Sequence, residues 1–186
     1  MRNFIFIFTL FFSVNSYAEK EEQIILTDTS IGNIPIEVGG DISLYKIRNS
    51  FRYHRVTQEI REGDSPDYHL FTVSTYEGEV LIYFISYINK TDEYEKGIVK
   101  LHEVIAHSPK IKDQYGISPK MTVDQAIAKR KDLKFGAGHM DNYLGKDKIW
   151  YMFGVEQKHG TQVTEQMAIT ANPKISVISW PNPWWY

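Results

Sequence analysis

Val80-Leu81-Ile82-Tyr83-Phe84-Ile85-Ser86-Tyr87-Ile88 is the stretch that decides the fold. It is apolar at consecutive positions rather than at every second one, which predicts a strand in the middle of a sheet, covered on both faces. Glu77-Gly78 before it makes a tight reversal out of residues 68–75, where Tyr68, Leu70 and Val73 stand among polar partners. Arg61-Glu62-Gly63-Asp64-Ser65-Pro66-Asp67 is a turn by composition, and residues 53–60 read as the strand before it. A hairpin centred near Asp64 sets His69 opposite Glu59 and His54 near Ser74. Further upstream, Asp41 stands as an N-cap, with Ile42, Tyr45, Ile47 and Phe51 on a helical stripe.

Downstream, residues 89–96 are a charged connection with nothing to bury. Residues 98–107 read as one strand, and Ser108-Pro109 opens an irregular loop that runs to Ile117. Thr122-x-x-Gln125 is a capping box before Val123, Ala126, Ile127 and Leu133. Residues 136–145 and 148–155 read as two more strands, and residues 174–180 as the last, with Ile175 and Val177 alternating against Ile178 and Trp180. The predicted class is α+β, an antiparallel sheet with two covering helices. Residues 24–88 and 98–180 rhyme as a duplicated helix–strand–strand unit. In that reading Tyr68-His69-Leu70-Phe71-Thr72-Val73 matches Trp150-Tyr151-Met152-Phe153-Gly154-Val155.

At 186 residues the chain has room for one domain. Basic and acidic residues nearly balance, 21 against 23, and no basic stripe marks a nucleic-acid binder. There is no Cys, which excludes disulfides, thiolate metal sites and a cysteine nucleophile. Residues 1–18 have the grammar of a secretory signal: Arg2, an apolar run from Phe4 to Phe12, then Ser16-Tyr17-Ala18 with small residues where signal peptidase needs them. Cleavage is expected after Ala18, leaving 19–186 as a single periplasmic domain. The apolar run is too short to span about 30 Å of hydrocarbon, and no other stretch is long enough for a transmembrane helix.

Ile105-Ala106-His107-Ser108-Pro109-Lys110-Ile111-Lys112-Asp113-Gln114-Tyr115-Gly116-Ile117 resembles the signature of a bacterial domain family of unknown function, DUF1131-like, typified by the RpoE-regulated lipoprotein of enteric bacteria. Ser30-Ile31-Gly32, Ile149-Trp150-Tyr151-Met152-Phe153 and Lys174-Ile175-Ser176-Val177-Ile178-Ser179-Trp180 follow the same pattern in order. The resemblance implies an envelope protein with no assigned chemistry. A lipobox cysteine is absent here, so lipid anchoring is not carried over.

Searches for catalytic patterns return little. His102 and His107 are five apart in the expected strand, so they point to opposite faces. No H-E-x-x-H, G-x-S-x-G, Walker loop or G-x-G-x-x-G is present, and neither a metal site nor a cofactor is expected. Paired carboxylates for glycan cleavage are not singled out by spacing. Trp180-Pro181-Asn182-Pro183-Trp184-Trp185-Tyr186 is the one compositional oddity. Trp180, Trp184, Trp185 and Tyr186 read either as a ligand platform or as a tail covering an apolar sheet face. Ser108, Asp113 and Gly116 read as a structural motif: Ile111 and Ile117 face the core, Asp113 bonds its own loop, and Gly116 takes a positive φ. On that account Asp113→Ala costs about 1 kcal/mol. These features point to an exported, non-enzymatic binding or accessory protein with an envelope protein or glycan as partner. A glycan hydrolase would need two carboxylates, or a histidine with a carboxylate, in one cleft with shifted pKa values. An inhibitor or immunity-type protein would present residues 108–120 as an exposed loop.

Overall fold

The computed structural model describes residues 23–63, 66–88, 97–137, 142–156 and 162–181. The signal reading of residues 1–18 and the connection at 89–96 lie outside these. In chain order the elements are β1 (Ile25–Leu26), β2 (Ser30–Ile31), β3 (Ile34–Pro35), β4 (Asp41–Ser43), α1 (Leu44–Ser50), β5 (Arg55–Arg61), β6 (Tyr68–Ser74), β7 (Val80–Tyr87), β8 (Ile98–Lys100), β9 (Glu103–Ala106), β10 (Lys112–Asp113), α2 (Val123–Lys129), β11 (Lys134–Ala137), β12 (Asn142–Lys146), β13 (Ile149–Phe153), α3 (Glu165–Ala171) and β14 (Val177–Trp180). The class is α+β. Eight strands form one sheet in the order β11-β12-β13-β14-β9-β7-β6-β5, antiparallel throughout. A small sheet, β10-β1-β2-β3, contains a parallel pair, β1 with β10, and β4 pairs with β8.

One face of the large sheet builds the core. Phe71, Phe84, Val104, Ile178, Tyr151 and Phe153 join Ile47 of α1, Val123 and Ala126 of α2 and Ala168 of α3 in a single buried cluster. The expectation that β7 is covered on both faces therefore holds for one only. Ile82, Phe84 and Ser86 are buried, whereas Tyr83, Ile85 and Tyr87 on the other row are half-buried. The helices all contribute to the inner cluster, and among the described residues none of them packs on the outer row.

Several boundaries differ from the sequence reading. Asp41 to Ser43 pairs with β8, so the helix begins later and Ser43, not Asp41, is its cap, accepting from Lys46 N–H at 3.2 Å. The Thr122–Gln125 capping box forms as read. The hairpin register is one residue away: Ile60, not Glu59, faces His69, and such a slip moves a side chain to the other face. His69 is thus on the core side, 4% exposed. The run 98–107 is broken at Leu101, whose backbone bonds Gly39 and Gly40, so β8 and β9 serve different sheets. Residues 136–145 are not one strand but parts of two antiparallel ones, β11 and β12. Helix α3, capped by Thr164 and ended by Asn172 at φ 45°, has no counterpart in the sequence reading.

The sheet order is mirrored about its centre: β5-β6-β7-β9 on one side, β11-β12-β13-β14 on the other, each preceded by a short helix. Each half thus supplies four strands rather than two. In that layout β6 corresponds to β12 and β7 to β13, which moves the rhyme of Tyr68–Val73 with Trp150–Val155 by one strand. The hairpin hidden in 136–145 is the reason.

Candidate binding face

The outer row of the large sheet gathers aromatic and aliphatic side chains from strands far apart in sequence. Cross-strand pairing sets Tyr68 beside Tyr87, Leu70 beside Ile85 and Thr72 beside Tyr83, then Tyr83 beside Ile105. Across the central seam Ile105 meets Ser179, and Ser179 meets Trp150. Tyr68 and Tyr87 pack edge to face with centroids 6.2 Å apart. His102 and His107, at the two ends of β9, both lie against this row: His102 on Tyr87 at 5.2 Å and His107 on Tyr83 at 4.5 Å. The break at Leu101 frees His102 from strand alternation, so the opposite-face expectation for the pair fails. Burial pulls His107 below the usual imidazole range.

At the other end of the row two rings occupy seats made by glycine. A Cβ on Gly145 would stand 2.2 Å from Trp150 Cδ2, and one on Gly136 would stand 2.2 Å from Tyr143 Cε2. Each glycine is the direct cross-strand partner of the ring that lies over it. The two rings touch edge to face at 4.9 Å, and the Trp150 indole N–H donates to the Asp147 carbonyl at 3.2 Å. Absence of a side chain at 136 and 145 is what lets large rings lie close to the sheet.

Between these zones sits Glu103, on the seam of β9 and β14. Ser179 Oγ donates to its Oε1 at 2.9 Å and also approaches the Pro181 carbonyl at 3.3 Å. Burial raises the Glu103 carboxyl above the usual range, and the Ser179 hydrogen bond opposes this. Burial likewise raises Tyr87, with the Glu103 charge adding to it. Among the described residues no second carboxylate contributes to the ionisation of Glu103.

Trp180 is not part of a surface platform. It is wholly buried on the core side, with its indole N–H donating to the Asp28 carbonyl at 2.9 Å. Trp184, Trp185 and Tyr186 lie outside the described residues. Ser108 is buried and donates to Glu79 Oε1 at 2.5 Å while accepting from Lys110 N–H at 3.2 Å. Asp113, 1% exposed, accepts through Oδ1 from Tyr115 N–H at 2.9 Å and Ile117 N–H at 2.7 Å. Its Oδ2 accepts from the Tyr151 hydroxyl on β13, a partner that sequence spacing does not reveal. Burial raises the Asp113 carboxyl and pushes the Tyr151 phenol far up. Arg130, 3% exposed, stands beside them, stacked under the Tyr115 ring at 4.2 Å and paired with Asp147 Oδ2 at 2.8 Å. Gly116 has φ 75°, and Ile111 and Ile117 are fully buried.

Clefts among the described residues include two lined by charged side chains. One is bordered by His54, Lys110 and Lys112, the other by Ile36, Glu37, Lys46, Leu101 and Lys148. Among the described residues no cluster of His, Asp and Glu is placed to hold a metal ion. No described helix is long and apolar enough to cross a membrane.

No family model matches the chain, and no curated protein matches it. Among solved structures the chain is similar to the uncharacterized protein yfeY from Escherichia coli, with TM-score 0.59 and 12% identity over 85% of this chain and 99% of that one. The likeness is one of fold.

Proposed function

We propose that the chain is an exported, non-enzymatic binding protein of the cell envelope, related to the DUF1131-like family, and that the outer face of its large sheet takes a glycan. The observation that carries this is the glycine-seated pair Trp150 and Tyr143, continued across the seam by Glu103 and the tyrosines of β6 and β7. Ring faces held close to a rigid sheet suit stacking against sugar rings. A carboxyl held above its usual range by burial supplies a hydroxyl-compatible hydrogen-bonding group between them. Export is supported by the charge, apolar run and small-x-small order of residues 1–18. Glu103 is joined to Ser179 by a hydrogen bond, and burial and that bond account for its shifted carboxyl, which favours a binding role over a paired-carboxylate hydrolase. An inhibitor loop at 108–120 is disfavoured because Ser108, Ile111, Asp113, Ile117 and Ser118 are buried.

The test is a titration with peptidoglycan-derived saccharides, followed by tryptophan fluorescence and by NMR shifts, with released reducing ends monitored in parallel. The expected result is saturable binding that Trp150→Ala weakens on the order of tenfold or more, a loss of ~1.4 kcal/mol, with no reducing ends formed. Binding unaffected by Trp150→Ala removes the face from consideration, and turnover refutes the non-enzymatic reading.

A further inference from the structure

Strand β5 forms one edge of the eight-stranded sheet, and the ladder behind it tells which backbone groups point outward. Ile88 N–H donates to the Asp67 carbonyl at 2.8 Å, so the odd-numbered residues of β6 bond toward β7. Its even-numbered residues therefore bond β5, through Arg61↔Tyr68, Glu59↔Leu70, Thr57↔Thr72 and Arg55↔Ser74. That leaves the N–H and C=O groups of Val56, Gln58 and Ile60 facing away from the sheet. Arg48 agrees with this phase, because its Nη2 reaches the Val56 carbonyl from outside at 3.3 Å. Arg48 Nε donates to the same carbonyl at 3.4 Å, and among the described residues no backbone bond to the outward groups of Gln58 and Ile60 is present.

Proteins blunt such edges with lysine, proline, a bulge or sheer shortness. The opposite edge, β11, has four residues, starts at Lys134 and contains Gly136. β5 has no lysine, proline or bulge and is not short; what guards it is the charge of Arg55, Glu59 and Arg61 and the Arg48 guanidinium on one outward carbonyl. It runs for seven residues, Arg-Val-Thr-Gln-Glu-Ile-Arg, and Ile60 on it is 63% exposed.

We propose that β5 pairs antiparallel with β5 of a second copy of this chain across a twofold axis at Gln58, joining two eight-stranded sheets into one. Symmetry allows the axis only on a residue, since any odd offset would set an outward-bonding residue against an inward-bonding one. An axis at Gln58 aligns all three outward residues, Gln58 with its own copy and Val56 with the second copy's Ile60, whose N–H takes the Val56 carbonyl that Arg48 holds in the single chain. Val56 and Ile60 share a face, so this register also covers the exposed Ile60 with a β-branched partner. An axis at Glu59 would place two carboxylates directly opposite. An axis at Thr57 would leave Ile60 beyond the second copy's strand. The unfavourable contact at Gln58 is Arg55 against the second copy's Arg61, and Glu59, 2.6 Å from Arg61 within each chain, tempers it. The contact is isologous and closes on itself, so it gives dimers and not fibres.

The chain has no cysteine, which allows the register to be read directly. Thr57→Cys, Gln58→Cys and Glu59→Cys are prepared singly and oxidised, and the untouched protein is weighed in solution by sedimentation from about 10 μM to about 1 mM. Only the residue on the axis meets its own copy within disulfide reach of about 4.4–6.8 Å between Cα atoms, so Gln58→Cys should cross-link on the order of tenfold faster than the other two. Gln58→Pro serves as the blocking variant: its N–H has no partner within the chain, so the fold should survive, with unchanged circular dichroism and no dimer. A monomer at every concentration overturns the proposal, as does faster cross-linking at 57 or 59.

Discussion

Removing the Asp113 carboxyl should cost far more than a loop bond, because the carboxyl serves three donors at once. Asp113→Ala strips the acceptor from Ile117 N–H, which is buried, from Tyr115 N–H, which is part-buried, and from the Tyr151 hydroxyl inside the core. A buried donor left unsatisfied costs about 1–3 kcal/mol. Two such donors make about 2–6 kcal/mol, with a smaller share from a third that water can reach, against about 1 kcal/mol expected from the loop alone. Asp113→Asn separates the contributions, since its carbonyl still accepts from the two N–H groups and its amide can donate to the phenol oxygen. The sign of its pH dependence follows from burial. The Asp113 carboxyl is raised in the folded chain, so its stabilising share is present at acid pH and lost as pH rises through the folded value. The stability difference, native protein minus Asp113→Asn, should therefore fall as pH rises above the ordinary aspartate value of about 3.9. Urea unfolding of both variants across that range measures it. A loss under about 1 kcal/mol for Asp113→Ala, or a difference that grows with pH, refutes the reasoning.

Gly116→Val should destabilise by about 1–3 kcal/mol, because φ 75° is closed to a β-branched residue; an unchanged thermal midpoint would contradict it. Gly145→Ala should cost about 1–3 kcal/mol and red-shift tryptophan emission, since its Cβ evicts the Trp150 ring; emission identical to the native protein would show that the ring is not seated there. Glu103→Gln keeps an acceptor for Ser179 and removes a charge that burial penalises, so it should be more stable than the native protein near neutral pH, by a margin that shrinks in acid. His107→Phe should remove a loss of stability that the native protein shows as pH falls below about 6.5, because burial holds the imidazole neutral in the folded chain alone; equal acid slopes for the two proteins would count against it.

What could be read in the sequence was what neighbours in sequence decide. The Thr122–Gln125 box, the Glu77-Gly78 reversal and the three strands from 55 to 87 are local signals, and they stand where the residues place them. Register is different, since a six-residue connection between Arg61 and Tyr68 does not say where its midpoint falls, and a slip of one gave His69 the partner Ile60 in place of Glu59. The β11–β12 hairpin was hidden because Gly136 and Ala137 carry no strand pattern. Gly136 pairs with Tyr143, whose ring does the covering, and Ala137 with Asn142. Trp180 was legible as one row of an alternating strand, but alternation names two rows without saying which is inside. Asp113 showed its loop bonds and concealed Tyr151, which lies 38 residues away.

The mirrored sheet order also explains why a binding face exists at all. Both halves send their helices to one side, and those helices share one cluster with the inner rows of all the central strands. Among the described residues no helix is part of the outer side, and side chains such as Leu70 and Ser179 are buried there by their own neighbours. Near the ends of the sheet the rings cover one another, Tyr68 with Tyr87 and Tyr143 with Trp150. At the centre the two halves meet through three residue pairs of β9 and β14, and no ring stands on the outer side of that seam. Glu103 and Ser179 take the place instead, one from each half, joined by a hydrogen bond across the junction. A polar pair at the middle of an aromatic row is therefore where the fold has least apolar material to spend and where a hydroxyl-bearing ligand would find both a ring and a hydrogen-bonding group within one strand spacing, about 4.8 Å.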